Sequence, residues 1–283
     1  MRHILAALDL TPQPGRAFDR AVQLALQHGS ELTLAHIVAA GGAAPDDEAE
    51  TSSADSALAR ADRKLREYPI PAALKVNFRV AVGNPAREIA ALAHEAGAEL
   101  VVLGAHREDP IPDLFFDTTA YYTMEHCDAP ILIVRDETRG PYRRVLAPTD
   151  FSACAKRALR AAVTLAPQAE FHALHVYETP FLHFIRFNEE EAQEYQQERY
   201  SRIERDVQEE MRDFLANHPG RSFPEIQTLL VRDDIDAGIE NTAKQLEPDL
   251  LAMGLSGRGL AALVGGRTKA YLKAPFCDLL VTP

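Results

Sequence analysis

His3-Ile4-Leu5-Ala6-Ala7-Leu8-Asp9 opens the chain, and Arg144-Val145-Leu146-Ala147-Pro148-Thr149-Asp150 repeats the phrase near its midpoint. Each is a short apolar run closed by an aspartate, as expected of a buried strand that ends at a loop. The same order then recurs outward from both. A stretch with helical spacing follows (Ala17–Gln27; Ala155–Leu165), then a strand carrying a histidine (Leu34-Ala35-His36-Ile37-Val38; Ala173-Leu174-His175-Val176-Tyr177). A charged helix, a third strand (Ala73–Val82; Ile226–Val231) and a short amphipathic helix (Pro85–Glu95; Asp236–Leu246) come next. A fourth strand ends in Gly104 or Gly254, and a loop, a helix and a last apolar strand (Ile131–Val134; Leu279–Val281) close each half. Ile89 to Gly104 and Ile239 to Gly254 are both 15 steps apart, so the halves keep register.

Strands and helices alternating at this length require parallel strands with helical crossovers. The predicted fold is α/β: two tandem doubly wound domains, each a five-stranded parallel sheet with helices on both faces. The polar hinge Asp136–Pro141 divides the chain into residues 1–139 and 140–283. Gly41–Ser53 reads as a loop insert. Its counterpart in the second half, Thr179–Phe187, is aromatic, and a long helix is predicted over 188–215. Ile203, Val207, Met211 and Phe214 form one apolar stripe on that helix, which suits a cover for the sheet.

Composition narrows the function classes. The 283 residues are 46% hydrophobic and carry a net charge of −12. That charge opposes a general nucleic-acid surface, which needs basic clusters, and opposes anionic membranes as well. The apolar runs are strand-sized, far below the ~18 residues of a membrane span. Asp9 interrupts the first of them before a signal-peptide core develops. Three cysteines make no disulfide framework, so a reducing cytoplasm is the expected location.

In open α/β sheets ligands bind beyond the carboxyl ends of the strands, where strand order reverses. The loops after Asp150 and Gly254 are therefore expected to meet. The second of them reads Gly254-Leu255-Ser256-Gly257-Arg258-Gly259, then Gly265-Gly266-Arg267-Thr268 at the start of the next helix. Glycine lets backbone approach a phosphate, and free amides at a helix N-terminus complement its charge.

Thr149-Asp150-Phe151-Ser152, Leu174-His175-Val176 and Met253-Gly254-x-x-Gly257 together resemble the universal stress protein family, in order and spacing, over nearly the whole chain. The closing Cys277-Asp278-Leu279-Leu280-Val281 and the Ala105-His106 of the first half are similar to tandem members of the universal stress protein E kind. The resemblance implies an adenine nucleotide as ligand, ATP or AMP/ADP, with or without Mg. It gives Asp150 to the ribose and the Val176 backbone to adenine. Gly254, Gly257, Gly266 and Thr268 go to the phosphates. Thr149 and Met253 complete the matching strand ends, and Arg258 and Arg267 supply positive charge. The resemblance also implies a strand order of 3-2-1-4-5 in each half, with the fifth strand at an edge. The family precedent of a dimer through these last strands implies an intramolecular pseudo-dimer, with homodimerisation as a further option.

Two departures from the family pattern matter. In the second half the late glycine stands one place early, at Gly266. In the first half Arg107 replaces the second glycine, and Asp117 stands where a phosphate would lie. From Gly104 to Asp128 one Arg faces six acids, a net of −5, whereas Gly254 to Asp278 carries four cations and one acid, a net of +3. Coulomb attraction favours a nucleotide in the second half, and the first reads as a degenerate copy. Alternatives are a slow ATPase or nucleotidyl transferase, and a nucleotide-free interaction module. No catalytic constellation is identified. None of the ten histidines has zinc-type spacing, His36 and His175 read as satisfied strand histidines, and Cys127 and Cys277 as small buried residues.

Phe181, Leu182, Phe184, Ile185 and Phe187 exceed what a solvent-facing connection needs. They predict either a lid or a self-association patch. Paired Phe184→Ser and Ile185→Ser changes should alter the mass by light scattering or the nucleotide affinity. If neither moves, the segment serves an external partner.

Overall fold

The computed structural model describes residues 1–10, 15–39, 54–105, 116–177, 201–202, 205, 208–209, 224–255, 271 and 275–283. The first half runs β1 (His3–Ala7), α1 (Arg16–His28), β2 (Glu31–Ala39), α2 (Ala54–Arg66), β3 (Val76–Gly83), α3 (Pro85–Ala96), β4 (Leu100–Gly104), α4 (Phe116–His126) and β5 (Ile131–Val134). The second runs β6 (Arg144–Pro148), α5 (Ala153–Leu165), β7 (Glu170–Tyr177), β8 (Ile226–Arg232), α6 (Ile235–Leu246), β9 (Leu250–Gly254) and β10 (Asp278–Thr282). Phe181–Phe187 and most of the helix predicted over 188–215 lie outside the described residues. Residues 201, 202, 205, 208 and 209 are helical.

Local signals set the ends of these elements. Asn84 caps α3 by accepting from the Arg87 amide at 3.2 Å, Pro85 fills its first turn, and Gly97 closes it in the left-handed region at φ 58°. Asp234 caps α6 by accepting from the Asp236 and Ala237 amides. The third strand starts at Val76, three residues later than the apolar pattern suggested, because a turn precedes Leu74, whose amide donates to the Pro71 carbonyl.

All ten strands form one sheet, in the order β3-β2-β1-β4-β5-β10-β9-β6-β7-β8. Each half contributes a parallel 3-2-1-4-5 set. The sets join where β5 and β10 pair antiparallel, with Ile133 opposite Leu279, Leu132 opposite Leu280 and Ile131 opposite Val281. Neither fifth strand is left as an exposed apolar edge. Strand alternation sends one set of side chains to each face. Ile4, Leu24, Leu34, Leu132, Leu165, Phe171 and Leu280 share the core under α1, α2 and α5. Leu5, Ile89, Val101, Ile133, Leu174, Ile239 and Val281 share the one under α3, α4 and α6. Both cores run through both halves.

A buried polar cluster locks the seam. Asp278, at the start of β10, is fully buried, and Arg20 of α1 reaches it across the halves at 3.3 Å (Nε to Oδ2), with its side chain 5% exposed. Tyr142 donates to Asp278 Oδ2 at 2.6 Å, and the Arg135 and Asp136 amides donate to Oδ1 at 2.8 and 2.9 Å. The Arg20 guanidinium stacks over the Tyr142 ring at 4.0 Å, and its Nη1 donates to the Gly140 carbonyl at 2.8 Å. The Nε contact is an ion pair without an aligned N–H, so Nε itself has no hydrogen-bond acceptor. Burial raises the Asp278 carboxyl above its usual range, against the hydrogen bonds and the Arg20 charge that favour ionisation. Burial and the neighbouring Asp278 push the Tyr142 hydroxyl far up, so it stays a donor.

Asp278→Ala should destabilise the chain by about 3–5 kcal/mol, because it strands a buried guanidinium and the Tyr142 hydroxyl. Arg20→Met should cost less, since Asp278 keeps three donors. Urea unfolding of the two variants checks the ranking, and equal midpoints would contradict it.

Candidate functional site

The site is built where β6 stops short. Pro148 pairs with Leu174, while β7 continues to Tyr177. On the other side β9, which pairs with β6, runs to Gly254. Thr149 and Asp150 therefore lie in a notch between the ends of β7 and β9, at the reversal of strand order where ligands of such sheets bind.

Their loop is held in an uncommon conformation. Phe151 has φ 62°, in the left-handed region that bulky residues avoid at a cost of roughly 1–2 kcal/mol. The turn sends the Phe151 amide to Thr149 Oγ1 and the Ser152 amide to Asp150 Oδ1, both at 3.0 Å. Ser152 then caps α5, its Oγ accepting from the Ala155 amide at 3.2 Å. Asp150 is exposed. Partial burial works against its ionisation, but hydrogen bonds from Ser152 and the nearby His175 outweigh it and hold the carboxyl below its usual range.

His175 fastens this loop to β7. Its Nδ1 donates to the Thr149 carbonyl at 2.8 Å, which fixes the tautomer. The Phe151 ring packs on its imidazole at 4.6 Å, and Tyr177 stacks beyond at 6.3 Å. The first half repeats the lock: His36 Nδ1 donates to the Leu8 carbonyl at 2.7 Å, and Leu10 has φ 55°. Both histidines are satisfied strand residues, as their spacing suggested.

The halves differ where the fourth strand meets the first helix. A Cβ on Gly254 would lie 2.4 Å from the Cys154 carbonyl carbon and 2.8 Å from the Ala155 amide nitrogen. The end of β9 is thus seated backbone to backbone against the first turn of α5. A Cβ on Gly104 would meet nothing closer than the Ala17 methyl, at 3.7 Å. The reason is in the loops. Helix α5 begins three residues after Asp150, whereas α1 begins seven residues after Asp9, at Arg16.

A family profile described as "Universal stress protein family" matches residues 1–135 and again 141–283. The chain belongs to the universal stress protein family. Solved structures agree on the fold. A protein of unknown function from Pseudomonas aeruginosa PAO1 is 20% identical, with a TM-score of 0.65 over 99% of this chain and 92% of that one. A putative universal stress protein from Pseudomonas aeruginosa UCBPP-PA14 has a TM-score of 0.66 at 20% identity, over the same shares of the two chains. A universal stress protein from Archaeoglobus fulgidus DSM 4304 is 14% identical, with a TM-score of 0.62 over 99% of this chain and 97% of that one. No curated protein sequence matches the chain.

Within this tandem universal stress fold, Thr149, Asp150 and Gly254 come together at the notch. Met253 and Val176 sit beside it with buried side chains. Gly257, Arg258, Gly266, Arg267 and Thr268 lie outside the described residues. Asp278, counted as an acid opposing the cations of their loop, is instead sequestered in the seam at the amino end of β10. Among the described residues no group of three or more His, Cys, Asp or Glu side chains could hold a metal ion. No described helix is long and apolar enough to cross a membrane.

Two residue roles beside the notch were not legible in the motif itself. Ser152 is a cap, and a serine just ahead of an apolar-periodic run was the available signal for a helix starting at Ala153 rather than Ala155. Gly238 of α6 leaves room for Val176, whose Cγ1 lies 2.6 Å from where a Cβ would stand. Glu88 holds the corresponding place in the first half and reaches back over Gly83. The halves have exchanged a glycine and an acid across one contact, which no local pattern reveals.

Gly254→Ala should lower the melting temperature by several degrees, since the clash is with backbone that cannot turn aside. Gly104→Ala should be nearly silent. Thermal unfolding of both variants decides, and equal effects would mean that α5 does not rest on β9.

Proposed function

We propose that this chain is a cytoplasmic stress-response protein that binds one adenine nucleotide in its second half and acts by association rather than turnover. One observation carries the reading: only in the second half does a capped helix N-terminus rest on the fourth-strand glycine beside an exposed carboxylate held ionised. Free amides of a first helical turn and a glycine-lined approach suit phosphates. An ionised carboxylate suits ribose hydroxyls, for which it is a strong acceptor.

The roles follow the notch. Asp150 takes the ribose, with Thr149 shaping its turn. The Val176 backbone takes the base, on the stretch of β7 that β6 does not reach. Gly254, Gly257, Gly266 and Thr268 line the phosphates of ATP, ADP or AMP, with Arg258 and Arg267 adding charge and Met253 packing beneath. With Asp278 withdrawn into the seam, the cations of this loop face less opposing charge than their sequence suggests. The fit to a nucleotide rests on this donor set, and Mg would accompany the di- or triphosphate only. The first half, where Gly104 meets the Ala17 methyl of α1 rather than helix backbone, is a structural copy that pairs with the second in place of a second chain.

Isothermal titration with ATP, ADP and AMP should find one site per chain. Asp150→Ala should weaken it by about 1–2 kcal/mol, the scale of a lost charged hydrogen bond. Gly257→Val should abolish binding and Gly104→Val should leave it intact. Two equivalent sites, or loss on Gly104→Val alone, would overturn the assignment.

A further inference from the structure

Strand β7 carries a second histidine in a different setting. His172 is 5% exposed, and neither of its ring nitrogens has a hydrogen-bond partner among the described residues. It stands opposite Leu146 of β6 and Gln227 of β8. Strand alternation puts it on the same face as Leu174, whose core is shared with Ile239 and Ala243 of α6. Helix α6 turns Gly238, Ile239, Thr242 and Ala243 inward, while its charges Asp236, Glu240 and Lys244 are exposed. The charged neighbours on the His172 face among the described residues include Arg144 of β6 and Glu170 of β7, which pair with each other at 3.5 Å, and the exposed Glu225 just ahead of β8, which the register sets opposite Glu170. Asp249, just ahead of β9, is taken by the amides of Arg143 and Arg144. Burial lowers the imidazole's proton affinity; Glu170 opposes that shift and Arg144 adds to it.

The first half has no such group. The register that sets Leu146 against His172 sets Leu5 against Thr33. Thr33 is equally buried, but its hydroxyl is bonded to His3 Nε2 at 2.8 Å.

We propose that His172 makes the second half open under mild acid: its protonation parts the packed layer between β7 and α6 while the first half stays closed. A protonated imidazole has two N–H donors, and here neither finds an acceptor. A buried unpaired charge is expensive, and admitting water is the available relief. The sign follows from linkage. Once exposed, the ring titrates near its ordinary pKa of about 6.5, so the open form binds the proton that the closed form refuses. Closure is complete above that pH and weakens as the pH falls through it, by about tenfold in the opening equilibrium per pH unit, until the closed-form value is reached. Because β7 also holds the Asp150 loop through His175, opening would dismantle the notch. The inference does not depend on what the notch binds.

Hydrogen exchange of the intact chain, read by mass spectrometry at pH 7.5 and 5.5 and normalised for intrinsic rates, tests it. Peptides over residues 170–177 should lose protection by up to about tenfold relative to residues 31–39 on acidification. His172→Thr and His172→Gln should each abolish that excess. A wild-type ratio that does not change with pH overturns the proposal, and so does an excess that persists in either folded variant. If neither variant folds, the wild-type ratio decides alone, because the His36 and His175 locks occur in both halves and cancel.

Discussion

The antiparallel seam between β5 and β10, with Asp278 buried at one end of it, is the constraint on which the rest of the molecule depends. Through Asp278 the seam touches three parts of the chain at once: α1 by Arg20, the linker by the Arg135 and Asp136 amides and Tyr142, and the second half by β10 itself. A carboxylate in this position is unfavourable alone, and only the converging donors make it tolerable. The halves therefore meet in one relative position. Either core, cut at the seam, would expose Ile133 or Leu279 along an unpaired edge.

That arrangement frees each half from needing to be identical. The repeated lock of His36 on Leu8 and His175 on Thr149 shows what both retain: a histidine that ties the end of the first strand to the second. What diverged lies immediately beyond it. The first helix starts seven residues after Asp9 in the first half and three after Asp150, behind a serine cap, in the second, and only there does helix backbone meet the fourth-strand glycine. The same pseudo-symmetry places Thr33 against His172, and Glu88 against Gly238. Duplicated scaffolds can in this way carry unlike chemistry on like frames, and the family match to both halves speaks for the frame alone.

Most of the frame was legible before any coordinates. Apolar runs of strand length alternating with helical spacing fix the element order, and the return of Leu-Ala-x-x-Asp at Asp150 reveals the duplication. The site was legible in part: Asp150 and Gly254 do converge, because strand order places β6 beside β9. The reason Gly254 must be glycine was not. It lies in the backbone of Cys154, a hundred residues away in sequence, and proximity across a crossover leaves no local trace. Asp278 was misread for a similar reason, since a charge count along a loop cannot tell a solvated acid from one folded inward.

By itself, then, the amino-acid order determined the two α/β halves, the order of their elements along the chain and the two aspartate-ended loops, because periodicity and turn chemistry act over a few neighbouring residues. Only the tertiary structure decided the strand order, the antiparallel register in which the two last strands pair, and that Asp278 closes the seam. It alone also separated a bonded histidine at 175 from an orphaned one at 172. Those outcomes depend on which groups lose water together, and burial is a property of the packed chain, not of any segment of it.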